Sequence, residues 1–180
     1  MKQKLAYTLA SVLSLSLFSS PLFATLGATE YREIVNAKVT VSASFNCLET
    51  PSQTNRVNPL YTGLNVDAGD LLIFNVDPNQ LWSSGFHTDS NQNITKVFTG
   101  NANGSGNPFG ADWGQGLTIQ SHSFLVGSLV GSLDDGNSFF LVGTDLAMFA
   151  PQAGHLSLYH WDSGCSDNSS SLDVSISIRK

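Results

Sequence analysis

Residues 156–178 read LSLYHWDSGCSDNSSSLDVSISI. The stretch ends in Leu172, Val174, Ile176 and Ile178, a period of two that puts apolar side chains on one face of an extended chain and Ser or Asp on the other. Leu156 and Leu158 keep the same period ahead of Trp161. A short polar loop separates the two runs, so the segment predicts two strands joined by an acid-bearing connection. The second run reaches almost to the last residue, which predicts a C-terminal strand held inside a sheet.

Working outward, the same period recurs. Val39, Val41, Ala43 and Phe45 alternate with small or polar residues, and Leu64 and Val66 lead into an AGD turn at Ala68–Asp70. Residues 71–76 and 123–133 (SFLVGSLVGSL) are apolar runs, the second with glycines suited to bulges or close packing. Phe139 to Val142 is another short run, and LDDGN before it reads as a hairpin turn. About seven or eight short strands separated by Gly, Asn, Asp and Pro predict an all-β fold, a two-sheet antiparallel β-sandwich. Two segments break the pattern: 46–61 is a polar connection, and 83–116 reads as a long Asn-, Gly- and Ser-rich loop of the kind that carries function.

Composition agrees. The chain has 180 residues, enough for one domain with a single core, and its 12% charged content and 16 glycines suit strands and turns better than a helical bundle. Lys2 and Lys4 followed by the apolar Leu5 to Phe18, with Pro21 and then Ala24 or Ala28, predict a cleavable signal peptide over 1–24, with cleavage as late as 28 the alternative. The domain is then 25–180, in a secreted or periplasmic protein with no membrane span after processing. Processing removes two lysines and no acid, moving the formal charge from −6 to −8. Such a chain repels phosphate backbones, which argues against nucleic acid as a partner. Cys47 and Cys165 either pair in an oxidising compartment or stay as two thiols; the spacing alone leaves both open, and it does not suit zinc.

Enzyme signatures are missing. There is no G-x-S-x-G elbow, HExxH, P-loop or GxGxxG, and His87, His122, His155 and His160 are scattered. His155 and His160 fall on opposite faces of one expected strand. An enzyme would need a dyad in the 83–116 segment, such as His87 with Asp89 or Asp112, so the expectation is a protein without catalysis.

The loop after Trp161 carries the most chemistry. Asp162 closes one strand, and Asp167 with Asn168 precedes the next. Calcium takes several oxygen ligands from carboxylates, Asn side chains and backbone carbonyls, and these residues, with a carbonyl at Gly164 or Cys165, could converge on one ion. The plainer reading of the same spacing is Asx turns at strand ends.

YHWD, SGC, SDN and SLDVSI follow one another in the order of a known family's site and terminal strand. TGLNVDAGDLLIF at 62–74, Trp82, QGL at 115–117 and FLVGSLVGSL at 124–133 continue the match. Over about residues 37–178 the chain resembles the calcium-dependent galactophilic bacterial lectins, the family of the soluble galactose-binding lectin of pseudomonads. The resemblance implies a β-sandwich of jelly-roll or galactose-binding-like type with one calcium at its edge, to which neighbouring sugar hydroxyls add. By position it implies side-chain ligands at Asp162, Asp167 and Asn168 and carbonyl ligands at Gly85 and Gly164. It also implies sugar contacts from Asp162, Asp167, the Ser163 backbone and Gln115, with Asp112 where the family has a sugar-binding histidine. A carboxylate there can bond hydroxyls but cannot replace a neutral imidazole donor. The 162–167 loop is also shorter than the family form, and Cys165 stands where an aromatic is expected.

The expectation is therefore a calcium-dependent carbohydrate-binding protein with galactosides as the leading ligand class. The alternative is a structural or interaction module on the same sandwich, its calcium site structural or lost. Single sugar sites are weak and gain from oligomerisation, but no residue pattern marks an interface, and a homo-oligomer stays open. Trp113 could stack on a sugar or pack under its loop, whereas Trp161 reads as packing.

Overall fold

The computed structural model describes residues 33–48, 58–106 and 116–180. The expected signal peptide, Asp112, Trp113 and Gln115 lie outside these residues. Every regular element described is a strand: β1 (Ile34–Ser42), β2 (Leu60–Val66), β3 (Leu71–Val76), β4 (Trp82–Thr88), β5 (Ile94–Asn101), β6 (Gly104–Ser105), β7 (Gly116–Ile119), β8 (His122–Leu125), β9 (Ser128–Ser132), β10 (Phe140–Leu141), β11 (Asp145–Phe149), β12 (Gly154–Trp161), β13 (Asn168–Ser169) and β14 (Ser171–Arg179). Among the described residues no helix is long and apolar enough to cross a membrane.

The strands form antiparallel sheets in the order β1-β14-β3-β11, β10-β9-β12-β2 and β13-β4-β5-β6, with β7 and β8 as a separate hairpin. The first two face each other across the main core. Leu172, Val174, Ile176 and Ile178 of β14 all point inward, as their period of two predicts, and meet Leu72, Phe74, Leu129, Leu156 and Leu158. β14 pairs with β1 from Ser42↔Ser171 to Ile34↔Arg179 and with β3 on its other side. The C-terminal strand is thus central, and the all-β sandwich expectation is met.

A second core covers the outer face of β12. There Tyr159 and Trp161 pack with Leu48, Ile119, Val130 and Phe139, roofed by Leu117 and Phe124 of the β7–β8 hairpin. Trp161 Nε1 donates to the Leu117 carbonyl at 2.9 Å, and its ring meets those of Phe124 and Phe139 edge-on. Trp161 is a packing residue that ties the hairpin to β12.

Several expectations need correcting. Phe45 does not continue β1. The strand ends at Ser42, the chain turns so that Asn46 N–H donates to the Ser42 carbonyl at 2.9 Å, and Phe45 is left 67% exposed. The run 123–133 is two strands, because the chain turns at Val126 and Gly127. The larger error lies in 83–116, whose described residues 83–106 are mostly strand and not a long loop. β4 and β5 pair there from Trp82↔Gly100 to Thr88↔Ile94, through two bulges. Alternation missed them because β4 buries Ser83, Ser84 and Gly85 rather than large apolar side chains.

Candidate metal and ligand site

Three pieces of chain converge where β12 ends. Asp162 follows β12 directly, the 162–167 loop then turns back, and β13 runs beside β4 with Asn168 opposite Ser84. The Cys47–Cys165 disulfide settles the question left open by spacing. Its Cα atoms are 5.6 Å apart, and it ties the middle of the loop to the segment after β1. Cys47 also lies beside His160 in an isolated parallel bridge.

Asp162 and Asn168 are each only 7% exposed. Asp162 Oδ1 accepts the N–H of Ser163 at 2.6 Å and of Gly164 at 3.4 Å. Its Oδ2 is buried and has no hydrogen-bond partner, and neither has Asn168 Oδ1. Burial pushes the Asp162 carboxyl up to about 6; the N–H groups of Ser163 and Gly164 pull the other way, and the charge of Asp167 adds to the rise. Two buried oxygen acceptors without donors are costly unless something electropositive meets them.

Asp167 comes in from the far side of the loop. A Cβ added to Gly85 would stand 2.7 Å from Asp167 Oδ2, and one added to Gly164 would be 4.0 Å from Oδ1. Gly85 has φ +110°, a conformation that L side chains rarely adopt, and it lies within the first bulge of β4, between Ser83 and Phe86. Its carbonyl accepts from Ser83 Oγ at 3.3 Å, which leaves one of its two lone pairs.

The residues named from sequence as metal ligands, Gly85, Asp162, Gly164, Asp167 and Asn168, therefore lie in one neighbourhood. Ser84, Gly116, Leu117, Val126, Asp162, Ser163, Gly164 and Asp167 line a cavity of about 290 Å³, near the lower end of the roughly 300–1,000 Å³ usual for small-molecule sites. The N–H of Ser163 is engaged by Asp162. Of the remaining ligand-binding candidates, Asp112 and Gln115 lie outside the described residues; Gly116, next in the chain after Gln115, lines the cavity. A larger depression of about 490 Å³ lies on the outer face of the β1-β14-β3 sheet, bordered by Lys38, Asn36, Asn75 and Ser177, and brings no acid to it.

Among the described residues, no three His, Cys, Asp or Glu side chains gather as a metal-binding group. What the site provides is two carboxylates, an amide oxygen and nearby backbone carbonyls. An all-oxygen donor set with few charges suits a hard cation such as calcium and not zinc or copper. The orphaned oxygens of Asp162 and Asn168 fit that use.

Sequence reasoning missed two residues here. His160 is fully buried, with Nε2 3.0 Å from Ser84 Oγ and Nδ1 3.2 Å from Asn168 Nδ2. Trp82 packs edge-on against its ring at 4.3 Å while donating its own Nε1–H to the Gly127 carbonyl. Desolvation pulls the His160 imidazole down to about 3, so it is neutral. Strand parity carried the signal for His160, which shares a face with Leu158 and Asp162; nothing local pointed to Ser84. His155 is exposed and apart from His160, as parity predicted.

No protein-family model matches the chain, and no curated protein matches it. Among solved structures it is similar to a chain described as the EclA N-terminal domain, a PllA-like lectin. The two share 18% identity with a TM-score of 0.46, over 79% of this chain and 93% of that one.

Proposed function

We propose that this protein is a secreted or periplasmic calcium-dependent carbohydrate-binding protein without catalysis, with galactosides as its leading ligand class. The observation that carries the reading is the pair of buried, partnerless oxygens, Asp162 Oδ2 and Asn168 Oδ1, beside the Asp167 carboxylate. Calcium would supply the positive charge that these oxygens lack and exchangeable positions that two neighbouring sugar hydroxyls can fill together. Asp162, Asp167 and Asn168 would hold it, with the Gly85 and Gly164 carbonyls. Asp162 and Asp167 would also accept hydrogen bonds from the sugar hydroxyls. The order of motifs over about residues 37–178, with Gln115 just ahead of cavity-lining Gly116, supports a sugar as the ligand.

In the competing reading the cation only locks the loop. The disulfide at Cys165 already restrains that loop covalently, which lessens the need for such a lock. Titrating galactose calorimetrically into the protein lacking residues 1–24, with calcium and again with chelator, tests the proposal. Heat in calcium alone is the expected result. No heat in either buffer would reject galactose, and a calcium-dependent rise in melting temperature without sugar binding would favour the structural reading.

A further inference from the structure

We propose, resting on the calcium reading above, that His160 is the positioning residue that aims Asn168 Oδ1 at the cation and frees the Ser84 hydroxyl proton for the cavity. The argument starts from one fixed acceptor. The Ala43 carbonyl lies 3.3 Å from the Asn168 amide, and a carbonyl oxygen can only be met by a donor, so the NH₂ of Asn168 faces Ala43. The same nitrogen lies 3.2 Å from His160 Nδ1 and 3.6 Å from Cys47 Sγ, and sulfur is the weaker acceptor, so the second proton of the NH₂ goes to Nδ1. Nδ1 must accept, and the single proton of the neutral ring sits on Nε2. Nε2 donates to Ser84 Oγ at 3.0 Å. Having accepted from His160, Ser84 keeps its own O–H to offer toward the cavity it lines.

The polarity of the whole chain, Ala43 to Asn168 to His160 to Ser84, is thereby set. Its consequence at the site is that Asn168 Oδ1, opposite the NH₂, is the atom left without a partner. Were the amide reversed, its oxygen would face the Ala43 carbonyl and its nitrogen would face the cation. The ring itself is held from several sides. Trp82 packs against it, its backbone N–H donates to the Asn46 carbonyl at 2.8 Å, and its carbonyl accepts from Leu48 N–H at 3.2 Å. Gly127, with φ +79°, leaves the space, since a Cβ there would come 2.5 Å from Ser84 Oγ. Buried partners that orient a ligating side chain typically matter about 10- to 100-fold in metal affinity.

Two measurements on the purified protein test this. Imidazole nitrogen shifts of His160, read by NMR without metal, report the tautomer. A proton on Nε2 is expected, and a proton on Nδ1 overturns the inference whether or not calcium binds. Calcium alone is then titrated into wild type, Asp162→Asn, His160→Asn and His160→Gln, each confirmed as folded by its melting temperature in chelator. His160→Asn keeps an acceptor for Asn168 and should hold calcium close to wild type. His160→Gln keeps only the donor to Ser84 and should weaken calcium by about 10- to 100-fold. Equal affinities for these two variants overturn the positioning role while the calcium reading stands. A wild type that ignores calcium, like Asp162→Asn, brings down the calcium reading and with it the cation half of the proposal.

Discussion

Gly85 and Asp167 lie so close that a Cβ added to Gly85 would stand 2.7 Å from Asp167 Oδ2, and Gly85 holds φ +110°. A side chain at 85 would be strained by the backbone and would push the carboxylate from its place. Gly85→Ala should cost about 1 kcal/mol or more of stability and weaken calcium binding at the same time. Chemical denaturation in chelator and calcium calorimetry check the two effects separately. Unchanged calcium affinity in a destabilised variant would mean that Asp167 is not a ligand.

Asp162 makes stability depend on pH with an unusual sign. Its folded value of about 6 lies above the ordinary 3.8, so between these values the native state binds more protons than the unfolded chain. Without metal, stability should fall as pH rises from 4 through 6, by roughly 3 kcal/mol from this group alone. Calcium competes with that proton, so its affinity should rise over the same window. Asp134 works the other way: burial raises its value, but bonds from Ser138, Ser132 and Gln152 outweigh burial and hold it at about 2. Its contribution is full above the ordinary carboxylate value and is lost as pH falls toward 2. Melting temperatures in chelator across pH 2 to 8 check both signs, and Asp162→Asn should flatten the upper slope.

The Cys47–Cys165 disulfide spans 118 residues of chain. In the chain-entropy account a loop of that size stabilises by about 4–5 kcal/mol, although measured values run lower. Replacing both cysteines by Ala should lower stability by about 2–5 kcal/mol and loosen the 162–167 loop, weakening calcium binding in protein that is still folded. Denaturation midpoints and calcium titration of the double variant provide the check.

Ile176 sits at the middle of β14 with its side chain in the main core. Ile176→Ala removes buried methyl groups and opens a cavity, at a cost of about 2–5 kcal/mol. Because the site lies beyond the end of β12 and across β13, calcium affinity at a temperature where the variant is folded should not change. Urea unfolding with an unaltered slope would show the loss to be one of packing.

The predicted strands and their observed counterparts separate by what each one buries. β14 and β3 were legible because each puts Leu, Ile, Val or Phe at every second position against the core, and β12 because Leu156 and Leu158 keep that period ahead of His160. β4 was not, because it faces the site and carries Ser83, Ser84 and Gly85 where a core strand would carry large apolar groups. The same small residues let Asp167 and His160 come close.

What the sequence determined by itself is what neighbours along the chain determine: alternation, turn residues, and the acids Asp162 and Asp167 bracketing one short loop. These features follow from strand geometry, in which residues two apart share a face, and they predicted the sandwich; the candidate ligands came from the order of motifs that resembles the galactophilic lectins, since the spacing alone fits Asx turns as well. Tertiary structure alone decided that Cys47 and Cys165 pair, that Gly85 makes room for Asp167, and that His160 lies between Asn168 and Ser84. Those relations join positions far apart in the chain, brought together by sheet pairing and core packing. Their hydrogen bonds are directional and depend on where each strand comes to rest, which local periodicity does not specify.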